Sequence, residues 1–176
     1  MFEDVIKRAR RRPLHAPAET TVATAIGRAE IERLLPHRDP LLLVDRISEV
    51  DLEAQTLCAH RRVDPDDPVF AGHFPGAPVY PGALQVEAMG QASVCLHQLL
   101  ELGRAEVHAE DRPQALRLLR VHHALFIAEA RPGEELTLLS RRLESDSYTV
   151  VCAAQVLKQE TICAMAIMEV FLAEGD

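Results

Sequence analysis

From Pro81 to Leu100 the chain is apolar on nearly every side of a helical wheel. Leu84, Val86, Met89, Val94, Leu96 and Leu99 are spread around the 3.6-residue wheel without leaving a wholly polar face. That pattern predicts a helix enclosed by other structure, with Gly103 in "ELGR" as its C-cap. Upstream, "GRAEIERLLP" places Ile31, Leu34 and Leu35 on one side and stops at Pro36, which predicts a short helix. "LLLVDRISEV" and "AQTLCAHRRV" have strand character and are joined through "DLEA" as a hairpin. Four more strand-like segments follow the long helix: "ALRLLRVHHALFI", "ELTLLSRRLES", "YTVVCAAQVLK" and "TICAMAIMEVFLA". Only "QE" separates the last two, which predicts a tight hairpin without the usual Asn-Gly or Asp-Gly turn. The order is therefore helix, two strands, a long loop, a buried helix, then three or four strands. Adjacent strands pair antiparallel and a lone apolar helix must be covered, so the fold class is α+β, an antiparallel sheet curled around one central helix.

Composition adds boundaries. At 176 residues the chain predicts one domain, 26–176, preceded by an arm. Residues 1–25 are basic at first (Lys7, Arg8, Arg10, Arg11, Arg12), then proline- and threonine-bearing, which reads as a solvated, partly disordered terminus. A formal charge of −8 argues against a general nucleic-acid binder. Cys58, Cys95, Cys152 and Cys163 form no Cys-x-x-Cys pair and read as reduced, packed thiols. No apolar stretch follows the basic N-terminus as a secretory signal would require, and six polar residues interrupt the apolar helix run. The expectation is a soluble, cytoplasmic protein.

The candidate chemistry lies in "VFAGHFPGAPVYPGALQVEAMGQA", where charge is cleared except for Glu87. A carboxylate two turns into a buried helix is costly unless protonated or paired, and protonated is the state a general acid needs. Gln91, one turn on, is spaced to make a polar seam with it; the equal alternative is that Glu87 turns to a solvated edge or pairs with an arginine elsewhere. His73 sits between Gly72 and Phe74-Pro75, which restrict the backbone around it, as suits a group held in place. The seven other histidines, His97, His108, His122 and His123 among them, read as surface residues. Pro81-Gly82 opens the helix, where backbone N–H groups lack intrahelical partners and favour a developing negative charge. A base, a neutral acid and an oxyanion site together describe proton abstraction beside a carbonyl.

"LLPHRDPLLLVDRI" followed by "GHFPGAPVYPGALQVEAMGQA" resembles the hotdog-fold β-hydroxyacyl-acyl-carrier-protein dehydratases of bacterial fatty acid synthesis, over roughly Ile31 to the C-terminus. The resemblance implies His73 as the catalytic histidine, Glu87 as the catalytic acid and Gly82 as the N–H that binds the thioester carbonyl. Gln91 becomes the partner of the acid, with Phe74 and Tyr80 at the substrate pocket. It further implies no metal or redox cofactor and a phosphopantetheine-borne acyl chain on an acidic acyl carrier protein. The assembly it implies is a homodimer or trimer of dimers, with each site combining the histidine of one chain and the acid of the other. A cis Phe74–Pro75 bond is common in such folds. Tyr80 and Gln85 depart from the usual pattern and point to a specialised acyl chain, such as a polyketide or aryl-polyene. The rival readings are a hotdog acyl thioesterase and a non-catalytic acyl-binding subunit. A metal site at His122-His123 fits poorly, because neighbouring strand residues face opposite sides.

Overall fold

The computed structural model describes residues 2–172. In chain order the elements are α1 (Glu3–Ala9), β1 (Val22–Ile26), α2 (Arg28–Leu34), β2 (Arg46–Asp51), β3 (Thr56–Arg62), a 3-10 turn (Pro68–Ala71), α3 (Gly82–Leu102), β4 (Leu116–Phe126), β5 (Glu135–Ser145), β6 (Thr149–Lys158) and β7 (Thr161–Leu172). The strands form one seven-stranded sheet in the order β1-β2-β3-β5-β6-β7-β4, and every pairing is antiparallel. This is the α+β hotdog architecture. Gly103 ends α3 in the left-handed conformation, φ 64°, which glycine adopts without a Cβ clash. The β6–β7 hairpin turns with Gln159 at φ 53°, a conformation an asparagine or glycine would take more readily. The reading of the last strand extends to Ala173, which lies outside the described residues.

Strand periodicity explains how two opposite faces of one sheet are both buried. Ala154, Val156, Ala164, Ala166 and Met168 face the α3 side and pack with Met89, Ala92, Leu96 and Leu99 of that helix. Alternate positions Val151, Ala153, Met165 and Ile167 point to the other side, where Phe2, Val5, Ile6, Ala9 and Leu14 cover them. With both faces sealed, the centres of β6 and β7 can be apolar at almost every position.

The N-terminal arm is thus docked. Phe2, Val5, Ile6 and Ala9 recur at helical spacing and make α1 amphipathic. Gln155 of β6, fully buried, clamps the segment behind it. Its Oε1 accepts from the Leu14 N–H at 2.7 Å, and its Nε2 donates to the carbonyls of Ala9 and Arg12 at 2.5 and 2.9 Å. Further along, His15 is buried, with Nδ1 2.8 Å from the Thr56 hydroxyl and Nε2 2.7 Å from the Glu49 carboxylate. The terminal fraying expected of a charged arm gives way to an apolar face and a buried amide that complete the sheet.

The cysteines are free and buried, as the sequence indicates. His15 and His97 correct the surface reading, both being buried; His97 is 3% exposed on α3, and its ring nitrogens have no hydrogen-bond partner among the described residues. Burial pushes its pKa below the ordinary 6.5, and burial does the same at His60. No described helix is long and apolar enough to cross a membrane.

Two outcomes follow from these placements. Gln155→Leu leaves three backbone groups without a partner, so the arm should detach at a cost of about 1–3 kcal/mol in urea unfolding. Trypsin should then cut after Arg8, Arg10 and Arg11 in the folded protein; unchanged resistance would mean the arm holds without Gln155. For His97, the unfolded chain takes up a proton at higher pH than the folded one. Stability should therefore fall as pH drops through 6.5 toward the lowered folded value. His97→Gln should flatten that fall in a series of melting curves from pH 7 to 5.

Candidate active site

Three tethers fix His73 in the proline-rich loop. Its N–H donates to the Val69 carbonyl at 3.0 Å, and its own carbonyl accepts from the Val79 N–H at 3.1 Å. Its ring Nδ1 lies 2.9 Å from the Val79 carbonyl. A carbonyl can only accept, so Nδ1 carries the proton and Nε2 is left with a free lone pair. The Phe74 ring, 55% exposed, stacks on the imidazole with centroids 4.1 Å apart. The cis bond in this turn is His73–Phe74, one residue before the expected Phe74–Pro75.

Glu87 stands on α3, facing a groove with about 120 Å³ of open space between that helix and strands β4 and β7. His37, Gly90, Gln91, Val94 and Met168 line it with Glu87. The carboxylate is not fully buried in the single chain: its side chain keeps 36% of its exposure, because the helix face it occupies borders the open groove. Oε1 accepts from the Gln91 Nε2 at 2.8 Å and lies 3.3 Å from Nε2 of His37. Oε2 has no hydrogen-bond partner among the described residues.

Gln91 does more than partner the acid. Its Oε1 accepts from the Leu43 N–H at 2.8 Å, and its Nε2 also donates to the Leu41 carbonyl at 2.7 Å. The whole 36–43 segment is thereby docked against α3 at the level of Glu87. The cation Arg38 fastens the same segment to α2, donating to the carbonyls of Leu35, His37 and Glu32 at 2.9, 2.6 and 3.1 Å. Asp45, just beyond it, accepts from Arg28, Arg61 and the Arg62 N–H at 3.0, 3.1 and 2.7 Å. These contacts give the "PHRDPLLLVDR" stretch a physical purpose, which is to hold His37 and the Gln91 amide in register with Glu87.

Gly82 begins α3, so its N–H has no carbonyl four residues back to bond. A Cβ at this position would stand 2.8 Å from the Phe126 ring, so any larger residue would have to push that half-exposed ring aside. Tyr80 is placed elsewhere. It is 1% exposed, packs beside Phe70 at a centroid distance of 6.5 Å, and belongs to the core. Gln85 is likewise buried, with its Nε2 donating to the Tyr80 carbonyl at 3.3 Å. Neither side chain lines the groove beside Glu87.

One chain brings Glu87 and Gln91 together but does not join His73 to either by a hydrogen bond. His73 is not among the residues lining the groove beside Glu87. His37 is the residue that sequence reasoning did not single out. The signal was present, since it lies inside the "LLPHRDP" motif.

Residues 35–167 match the FabA-like domain family, a span that takes in His37, His73, Gly82, Glu87 and Gln91. The chain belongs to the FabA-like domain family. Among its relatives, the 3-hydroxyacyl-[acyl-carrier-protein] dehydratase FabZ of Chlamydia trachomatis serovar L2 is 43% identical over 115 residues, 64% of this chain and 70% of the relative. The protein of the same name from Xanthomonas euvesicatoria is 41% identical over 110 residues, 62% and 68% of the two chains. Among solved structures, the dehydratase heterocomplex ApeI:P from Xenorhabdus doucetiae superposes with a TM-score of 0.64 at 17% identity, covering 82% of this chain and 91% of that one. The E. coli PaaI protein of the phenylacetic acid degradation operon gives 0.53 at 14% identity, covering 75% and 80%. At these identities the solved structures speak for the fold alone. In this FabA-like domain the whole 1–25 arm with α1, and also β1 and α2, lie ahead of the matched span.

Replacing Gln91 by leucine should undock the 36–43 segment. The Leu43 N–H loses its acceptor, so unfolding in urea should show a loss of about 2–4 kcal/mol. A loss below ~0.5 kcal/mol would mean the segment is held by Arg38 and Asp45 instead.

Proposed function

We propose that this protein dehydrates a 3-hydroxyacyl thioester to the trans-2-enoyl thioester, with the acyl chain borne on an acyl carrier protein. The observation that carries this reading is the tethered His73 imidazole, whose Nδ1 is committed to the Val79 carbonyl and whose Nε2 is free to take a proton. Neutral His73 removes the C2 proton while the Gly82 N–H and the helix start stabilise the charge gathering on the thioester oxygen. The C2–C3 double bond forms as the C3–O bond breaks. Protonated Glu87 gives its proton to the departing hydroxyl, which leaves as water. The proton on His73 then returns to Glu87 and closes the cycle.

The groove beside Glu87, walled by Val94 and Met168, suits the acyl chain. Within this proposal two copies of the chain build each site. Strand β4 lies at the end of the sheet, pairing with β7 on one side only. It exposes Leu118 by 57%, Leu119 by 54% and Phe126 by 52%. A long apolar edge strand invites a partner strand, and β4 against β4 would extend the sheet across a two-fold axis. Phe126, next to Gly82, ends that strand and ties the edge to the helix start. The exposed cations Lys7, Arg8, Arg10, Arg11 and Arg12 form no ion pair among the described residues and offer an acidic carrier a docking surface.

The test follows enoyl absorbance and free thiol together, using a 3-hydroxyacyl thioester and its enoyl counterpart. Wild type should interconvert the two, and His73→Ala and Glu87→Gln should each lose about 10²-fold or more. Mixing the two variants should restore about a quarter of the activity, because a mixed dimer regains one intact site. Thiol release without enoyl signal would make the protein a thioesterase, and silence in both channels would make it a non-catalytic acyl binder.

A further inference from the structure

We infer that His37 is a positioning residue for Glu87, one that decides which carboxyl oxygen carries the transferable proton. The inference rests on the dehydratase reading and deepens it. A glutamate side chain has a soft, two-fold terminal torsion, so one hydrogen bond leaves the two oxygens free to exchange places. Here Oε1 meets two nitrogens, Gln91 Nε2 at 2.8 Å and His37 Nε2 at 3.3 Å, while Oε2 is left unpaired. The Gln91 N–H donates to Oε1, and the Nε2 edge of His37 stands beside the same oxygen without closing a second hydrogen bond. Together they disfavour a proton on Oε1, where an O–H would face the Gln91 N–H and the nearby ring edge. The proton therefore sits on Oε2, the oxygen free to meet a hydroxyl in the groove.

The rest of the imidazole agrees with that assignment. Nδ1 of His37 is sealed from solvent and has no hydrogen-bond partner among the described residues. A proton on Nδ1 would be a buried donor without an acceptor, so the proton belongs on Nε2, the ring nitrogen nearer Glu87. The backbone that presents the ring is held as firmly as the ring itself. Pro36 precedes it, and the Arg38 guanidinium bonds its carbonyl at 2.6 Å and the α2 carbonyls of Leu35 and Glu32. A histidine that only filled space would need neither the directed Nε2 nor the anchored loop.

The experiment compares His37→Leu, which keeps bulk and removes the donor, with His37→Gln, which restores an N–H. Steady-state rates on a 3-hydroxyacyl thioester should show kcat lower by about 10- to 100-fold in His37→Leu, with KM changed by less than about 3-fold. His37→Gln should recover most of that kcat, and both variants should melt within a few degrees of wild type. A full kcat in His37→Leu, or an equal loss in both variants, overturns the inference. Nitrogen NMR of the imidazole decides the matter independently of turnover. His37 should be an Nε2–H tautomer whose Nε2 shift moves when Glu87 is replaced by alanine. An Nδ1–H tautomer, or a shift blind to Glu87→Ala, overturns it even if the reaction assigned to the enzyme proves to be a different one. An inactive wild type with the expected nitrogen shifts would fault the reaction and leave the positioning intact.

Discussion

The Gln91 side-chain amide is the contact on which the site depends. Its two ends bind the backbone at Leu41 and Leu43, and the same nitrogen reaches Glu87. A neutral amide suits this task because it offers donor and acceptor together and carries no charge into a buried helix face. A lysine could not accept from the Leu43 N–H, and a glutamate would set a second anion beside Glu87. Through this residue the acid is coupled to the 36–43 segment, and through Arg38 that segment is coupled to α2. The geometry around Glu87 therefore reflects several elements distant in sequence.

The sheet is asymmetric in what each face is asked to do. One face wraps α3 and leaves a groove where the helix meets β4 and β7. The other is closed by α1 and the Gln155 clamp. Closing the second face within the chain leaves the β4 edge as the long unpaired border with large apolar side chains in the open. A single chain can bury a face by folding a helix over it, but it cannot satisfy an edge strand without another strand. That difference separates the N-terminal arm, which the fold completes by itself, from the β4 border, which it does not.

How much of this is legible in the sequence depends on whether the signal is periodic and local. α3 and the flanking hairpins are legible because their apolar spacing is long and regular, and Gly103 marks a stop with a mechanical cause. His73 and Glu87 are legible because the first lies among residues that restrict the backbone and the second interrupts a charge-free helix. α1 is hidden by the basic cluster that overlaps it, although Phe2, Val5, Ile6 and Ala9 already carry helical spacing. β1 is short, and three of its five residues are exposed or nearly so, so it has little pattern to display. His97 and Tyr80 were beyond local reading, since the same residue types are as common on surfaces as in interiors. Their placement follows from pairing across the fold. Glu87 shows the converse: burial of a helix does not imply burial of every side chain on it.

The polar residues of α3 sharpen that last distinction. Gln91 and Ser93 have their hydrogen bonds made, the first to the docked segment and the second to the Met89 carbonyl and the Ser140 hydroxyl. Gln85 and His97 keep buried polar atoms without partners among the described residues. A buried unsatisfied group costs about 1–3 kcal/mol, so such positions are tolerated only where the surrounding packing is strong. Both lie on the same helix as the acid, about half a turn before it and nearly three turns after. Their cost is borne by a core in which Met89, Ala92, Leu96 and Leu99 are fully buried. The helix can therefore carry a partly exposed carboxylate at Glu87, because its stability comes from those apolar neighbours and not from the polar groups.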